Sequence, residues 1–233
     1  MNHFKPYFII IKSLLYYLFD SLVLWKTPSP QKNQLKVVLL IRQDAIGDFV
    51  MWLDTAKEYR ELYPSENNRI VLVGNAVWFD LAKGLPYWDE VLPINVKKFK
   101  TFSSYRSNIL RKVNSFGAQI AVQPTFSREF YHGDSLIRAS NAFQKISSIG
   151  DMSNRNWLKK TLADGWHTEL IPASQEPISE LERNTEFFSA IRGTSHTQCY
   201  PVLGINKACS PLYQEKQFFV LVPTASLNLK MWS

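Results

Sequence analysis

The chain has 233 residues, enough for one large α/β domain or one and a half ordinary ones. Hydrophobic residues make up 45%, so a sizeable core can be buried, and the net charge of +7 favours an anionic partner: nucleic acid, a phosphate-bearing substrate or a membrane surface. No arginine-rich tract singles out nucleic acid, and the two cysteines, Cys199 and Cys209, lack the CxxC spacing of a zinc site or a disulfide framework.

Residues 4–25 are strongly apolar. Lys12 and Asp20 interrupt the run, which therefore falls short of the roughly 20 apolar residues of a spanning helix. No small-residue cleavage site follows. With Lys5, Lys12, Lys26, Lys32 and Lys36 among tyrosines and tryptophan, the segment suits a helix lying in the membrane interface. A helix packed on the domain itself fits equally well. Residues 27–34 are a linker by composition, so 1–34 reads as an amphipathic helix and linker.

Residues 35–41 form an almost unbroken apolar run, a strand buried on both faces. A short polar loop with Gly47 and Asp48 follows. From Phe49 the period turns helical through Trp52, Leu53, Ala56, Tyr59 and Leu62, as far as Pro64. Strands are expected at 69–74, 90–94 and 118–123, with helices at 76–83 and 104–116 between them. This alternation implies a parallel sheet with right-handed crossovers.

The second half is less regular. A helix is expected within 126–142, a strand at 145–149 and a helix at 177–191, whereas 155–171 resists assignment. Residues 194–216 read as a loop, and 218–222 as one more buried strand, followed by Pro223, Thr224, Ala225 and Ser226. The expectation is one α/β domain over 35–193, then a linker and the opening strand and loop of a second, truncated domain over 194–233.

Gly47 and Asp48 stand where ligands bind in open α/β sheets, beyond a strand's carboxyl end. Glycine lets a substrate approach the backbone, and a carboxylate there can take a proton from an attacking hydroxyl. An acid in a helix's first turn also stabilises the macrodipole, by about 0.3–1 kcal/mol. Asp44 has the same ambiguity, with an N-cap or Asx turn as its structural role. Thr224, Ser226 and Lys230 can hold a phosphate through hydroxyls and a point charge, or form an ordinary polar loop. Ser127 and Arg128, just past the 118–123 strand, can face the same cleft as Asp48 or lie in a solvated loop. Neither GxGxxG nor GxxxxGK[ST] occurs, nor HExxH or GxSxG, so no phosphate-loop, zinc or serine-nucleophile signature is present. His3, His132, His167 and His196 read as surface or core-edge groups. The tryptophans at 52, 78, 88, 157 and 166 read as core or interface groups.

Taken together, four segments carry a family resemblance. Residues 37–50 (VVLLIRQDAIGDFV) resemble the opening strand, loop and helix of glycosyltransferase family 9, the lipopolysaccharide heptosyltransferases. Residues 69–75 (RIVLVGN) and 85–92 (LPYWDEVL) are similar to that family's second strand and the turn that follows it. Residues 220–232 (VLVPTASLNLKMW) are similar to the first strand and loop of its second domain, with Thr224 where glycine is usual. The resemblance implies an α/β fold with a Rossmann-like parallel sheet, the N-terminal half of a GT-B glycosyltransferase whose second domain is truncated.

It further implies an inverting enzyme that needs no metal or other cofactor. Heptose would pass from an ADP-activated donor to the lipopolysaccharide core. Residues 35–193 would be the acceptor side and Asp48 the general base. Gly47, Ser127 and Arg128 are substrate-binding candidates, and Thr224, Ala225, Ser226 and Lys230 would meet the donor diphosphate. The expected place is the cytoplasm, at the inner membrane face if residues 4–25 seat there. A non-catalytic, membrane-peripheral acceptor-binding module and an unrelated α/β nucleotide-binding domain stay open as other readings.

Overall fold

The computed structural model describes residues 5–28 and 34–198. Cys199, Cys209, the strand expected at 218–222 and the candidates Thr224, Ala225, Ser226 and Lys230 lie outside the described residues, as do His3 and residues 29–33. A long helix α1 (Lys5–Trp25) precedes β1 (Lys36–Arg42), α2 (Ile46–Ala56), α3 (Tyr59–Leu62) and β2 (Asn68–Asn75). A 3-10 turn at Ala76–Trp78 runs into α4 (Phe79–Ala82), followed by β3 (Glu90–Ile94), α5 (Val96–Phe99), α6 (Ser104–Ser115) and β4 (Ile120–Gln123). A π turn at Phe130–Asp134 leads into α7 (Ser135–Ser140), β5 (Gln144–Ser148), α8 (Trp157–Asp164), β6 (Glu169–Ile171) and α9 (Glu180–Arg192).

The six strands form one parallel sheet in the order β3-β2-β1-β4-β5-β6. The chain steps outward from β1 to β3, then crosses back to place β4 on the other side of β1. The order reverses between β1 and β4, and the crevice at such a switch point is where open α/β sheets bind ligands. The architecture is Rossmann-like.

Val37 to Ile41 of β1 are fully buried, as a central parallel strand covered on both faces requires. Val37, Leu39 and Ile41 pack in one cluster with Leu110 and Val113 of α6 and Leu136 and Ile137 of α7. An aromatic layer surrounds α2. Phe49 stacks on Trp78 with ring centroids 3.9 Å apart, Trp52 stacks on Trp88 at 6.2 Å, and Tyr59 meets Phe188 of α9 edge-on at 5.0 Å.

Three segments differ from the sequence expectation. The helix expected up to Pro64 breaks after Ala56, where Glu58 N–H bonds the carbonyl of Thr55, three residues back, and tightens the turn. Only the end of 126–142 is α-helical; the π turn occupies its middle. The unassigned stretch 155–171 holds α8 and the edge strand β6, too short for periodicity to reveal.

Helix α1 packs on α6 and α7, within the same compact unit as the sheet. Asp20 and Arg106, both buried, form a two-pronged ion pair, Nε to Oδ1 at 2.7 Å and Nη2 to Oδ2 at 2.5 Å. Arg106 also donates to the carbonyls of Phe99 and Tyr131 and to Ser135 Oγ. The buried guanidinium is thus surrounded by acceptors, the condition under which a buried ion pair is tolerated. Asp20, which interrupts the apolar run in the sequence, is the group that fastens the helix. No helix among the described residues is long and apolar enough to cross a membrane.

Candidate functional site

The carboxyl ends of β1 and β4 open into a cleft of about 250 Å³. Its lining comes from the β1–α2 loop and the first turn of α2 (Gln43, Asp44, Ala45, Asp48), from Gln123 at the end of β4 with Thr125 and Ser127 after it, and from Glu129 with His132 and Gly133 of the π turn that follows it. An adjoining cleft of about 230 Å³ shares Asp44, Asp48, Thr125, Ser127 and Asn154, and adds Glu180 of α9.

Side chains from β2 and the following turn hold the β1–α2 loop. Asn75 Nδ2 donates to the carbonyls of Gln43 and Asp44 at 3.3 and 3.2 Å, and Trp78 Nε1 donates to the Asp44 carbonyl at 3.0 Å. Gln43 Nε2 donates to the Val73 carbonyl at 2.9 Å. Trp78 reaches this place because residue 74 is glycine; a Cβ there would stand 2.0 Å from the indole ring.

The two acids of the loop differ. The Asp44 carboxylate lies 2.9 Å from Arg42 Nε and accepts from Thr125 Oγ1 at 3.0 Å. Arg42 is fully buried and also donates to Glu180 at 2.6 Å and Asn184 at 2.8 Å, tying β1 to α9. Asp44 is therefore a bracing residue that ties the two sides of the switch point together. Asp48 is exposed in the first turn of α2 and makes no hydrogen bond or ion pair among the described residues. Gly47 is exposed beside it, and a Cβ there would meet nothing within 4 Å among the described residues, so their packing does not demand glycine at this position.

Ser127 reaches the cleft. Its hydroxyl donates to Asp151 Oδ2 at 3.1 Å, and its carbonyl accepts from Asn154 Nδ2 at 2.8 Å. Arg128 does not line the cleft. Its side chain is fully buried and turned the other way, donating to Asp164 and lying 3.6 Å from the buried carboxylate of Asp134 and 3.1 Å from His167 Nε2. The physical reason is charge: with Arg155, it neutralises Asp134, whose pKa burial raises against the pull of both arginines. The same cluster drives His167 down to about 3, by burial first and then by the Arg128 charge.

His132 and Glu129 are cleft residues that sequence reasoning did not place there. His132 Nδ1 lies 2.9 Å from Glu129 Oε2, and Lys100 Nζ is 3.6 Å from the same carboxylate. The hydrogen bond to His132 is the main cause holding the Glu129 carboxyl below its usual pKa, with Lys100 assisting. His132 Nε2 is buried and has no hydrogen-bond partner among the described residues. Gly133 lets the turn lie against β4, because a Cβ there would stand 2.0 Å from Gln123 Nε2. The only trace in the sequence is the Glu-x-x-His spacing, which an ordinary helix would direct along its own face. Among the described residues, no group of three His, Cys, Asp or Glu side chains is gathered to hold a metal ion.

Fold and cleft together define a Rossmann-like α/β domain with its site at the switch point of a parallel sheet. No family model matches the sequence, and no curated protein matches it. Solved structures do. The E. coli heptosyltransferase WaaC with ADP matches at a TM-score of 0.53 and 15% identity, covering 72% of this chain and 51% of that one. WaaC with ADP-2-deoxy-2-fluoro heptose matches at 0.55 and 14%, covering 72% and 52%. The family 9 glycosyl transferase of Veillonella parvula matches at 0.58 and 13%, covering 76% and 48%. At these identities the likeness is one of fold: the protein has the fold found in the family 9 glycosyltransferases. The chain spans about half the length of each.

Proposed function

We propose that the chain is the acceptor-side half of an inverting, metal-independent glycosyltransferase, which moves a heptose or related sugar from an ADP-activated donor to the lipopolysaccharide core. The observation that carries this reading is the place of Asp48: a carboxylate on the cleft at the switch point, unpartnered among the described residues. Every other acid lining the two clefts is paired: Asp44 and Glu180 with Arg42, and Glu129 with His132 and Lys100.

In this reading Asp48 takes the proton of an acceptor hydroxyl as that oxygen attacks the anomeric carbon. The bond from that carbon to the diphosphate breaks, ADP departs with the electron pair, and configuration inverts. Lys230 offsets charge on the leaving diphosphate, with Thr224, Ala225 and Ser226 beside it. Gly47 keeps the approach to the base open, and Ser127 offers an acceptor oxygen to the substrate. Arg128 takes no part in binding; it braces the loop that carries Ser127. Transfer to a lipid-borne acceptor places this chemistry at the inner face of the cytoplasmic membrane.

The test joins the chain to a complete donor-binding domain and follows labelled sugar from ADP-heptose to core oligosaccharide. Asp48→Asn is expected to lower turnover by about 10²–10⁴-fold with little change in thermal unfolding. Undiminished transfer by Asp48→Asn would falsify the assignment. Acceptor binding without any transfer would instead point to a non-catalytic acceptor-binding module.

A further inference from the structure

The outward face of α1 is built unlike the surface of a water-solvated helix. Ile11, Leu14, Leu15, Leu18, Leu22 and Trp25 are each between 44% and 82% exposed. At helical spacing they fall on an arc of about 100°, an unbroken apolar stripe. The opposite face is spoken for: Ser13, Tyr16, Asp20 and Val23 are buried against the domain. The stripe cannot turn inward without breaking the Asp20–Arg106 pair. A contiguous exposed apolar patch of this kind marks an interaction surface.

Charge selects the partner. Among residues 10–28 the only acid is Asp20, and it is consumed by Arg106. Lys12 and Lys26 stand along one flank of the stripe at helical spacing, and Lys12 Nζ and Lys159 Nζ lie 5.5 and 4.6 Å from the ring of Tyr131. A second copy docked antiparallel, stripe to stripe about a two-fold axis perpendicular to the helix, would set these lysines against their own equivalents. An anionic lipid surface neutralises them while taking up the apolar side chains, and an exposed Trp at the end of the helix suits the headgroup level.

We infer that α1 lies in the surface of an anionic membrane, with the stripe from Ile11 to Trp25 at the acyl boundary and the lysines at the headgroups. Ser13 Oγ is 3.1 Å from Tyr131 Oη, and Tyr131 adjoins His132 on the cleft. The seated helix is thus joined to the turn that carries His132. The inference goes beyond the transferase reading and does not need it, since its test involves no turnover.

The full chain is floated with vesicles of phosphatidylcholine alone and with vesicles carrying about 30% phosphatidylglycerol, at about 0.1 M and about 0.5 M salt. Binding to the anionic vesicles is expected to exceed binding to the neutral ones by about tenfold, and Leu18→Ser with Leu22→Ser to remove about tenfold of it. Lys12→Gln with Lys26→Gln should lower the salt dependence and keep the fold even if the leucine variant does not. No binding to either vesicle, or full binding by both variants, overturns the inference. So does a dimer of the wild-type chain that the leucine variant converts to monomer, because the stripe would then be covered by a second copy.

Discussion

Asp44 and Asp48 share one loop and have opposite surroundings, which makes their roles separable. Asp44 sits between Arg42 and Thr125, so its loss leaves a buried guanidinium short of an acceptor. Asp44→Asn is expected to cost about 1–3 kcal/mol in urea unfolding, and Asp48→Asn less than about 1 kcal/mol. Equal costs would show that Asp48 is as structural as its neighbour. His167 gives a second test at this scale. Its pKa is depressed to about 3 in the folded chain, so the native state keeps it neutral while the unfolded chain protonates it below about 6.5. Its contribution is fully present above the unfolded value and drains away as pH falls toward 3. Stability should therefore decline by up to about 1.4 kcal/mol per pH unit below about 6, beyond the decline common to the chain. In His167→Gln that extra slope should vanish; its persistence would assign it to another group.

At the scale of elements, two devices hold the site in place. The first is the buried pair that fastens α1. Asp20→Asn leaves Arg106 without its counter-charge and is expected to cost about 3–5 kcal/mol, whereas Asp20→Leu with Arg106→Met should recover much of that loss. Calorimetric melting of the three proteins checks it, and a neutral Asp20→Asn would mean that the ion pair is not what fastens α1. The second is the seat of Trp78 against Gly74. Gly74→Ala drives a methyl into the indole, which is backed by the ring of Phe49 at 3.9 Å. Overpacking of this kind costs about 1–3 kcal/mol, and here it also displaces the donor that holds the Asp44 carbonyl.

For the whole molecule, the chain matches about half of each related structure, and the candidate donor residues lie outside the described residues. Much of the fold was legible beforehand. The apolar run at 37–41, the change of period at Phe49 and the recurrence of short strands each follow from burial on both faces or on one face, and burial leaves its mark residue by residue. The location of the cleft was legible for the same reason, since a strand followed by a polar loop and a helix already marks the carboxyl edge of a sheet. What the sequence determined by itself was therefore the type of most elements and the loop on which Asp48 stands. Tertiary structure alone decided which charges meet. Only in three dimensions does Arg128 turn from the cleft to Asp134, and do Glu129, just before the π turn, and His132, within it, turn toward the cleft. Asp20 likewise becomes a fastening only when Arg106 is opposite. Such pairings join groups as many as 138 residues apart in the chain, as Arg42 and Glu180 are, and no local pattern records those, because the cost of burying a charge depends on a partner that only the fold supplies.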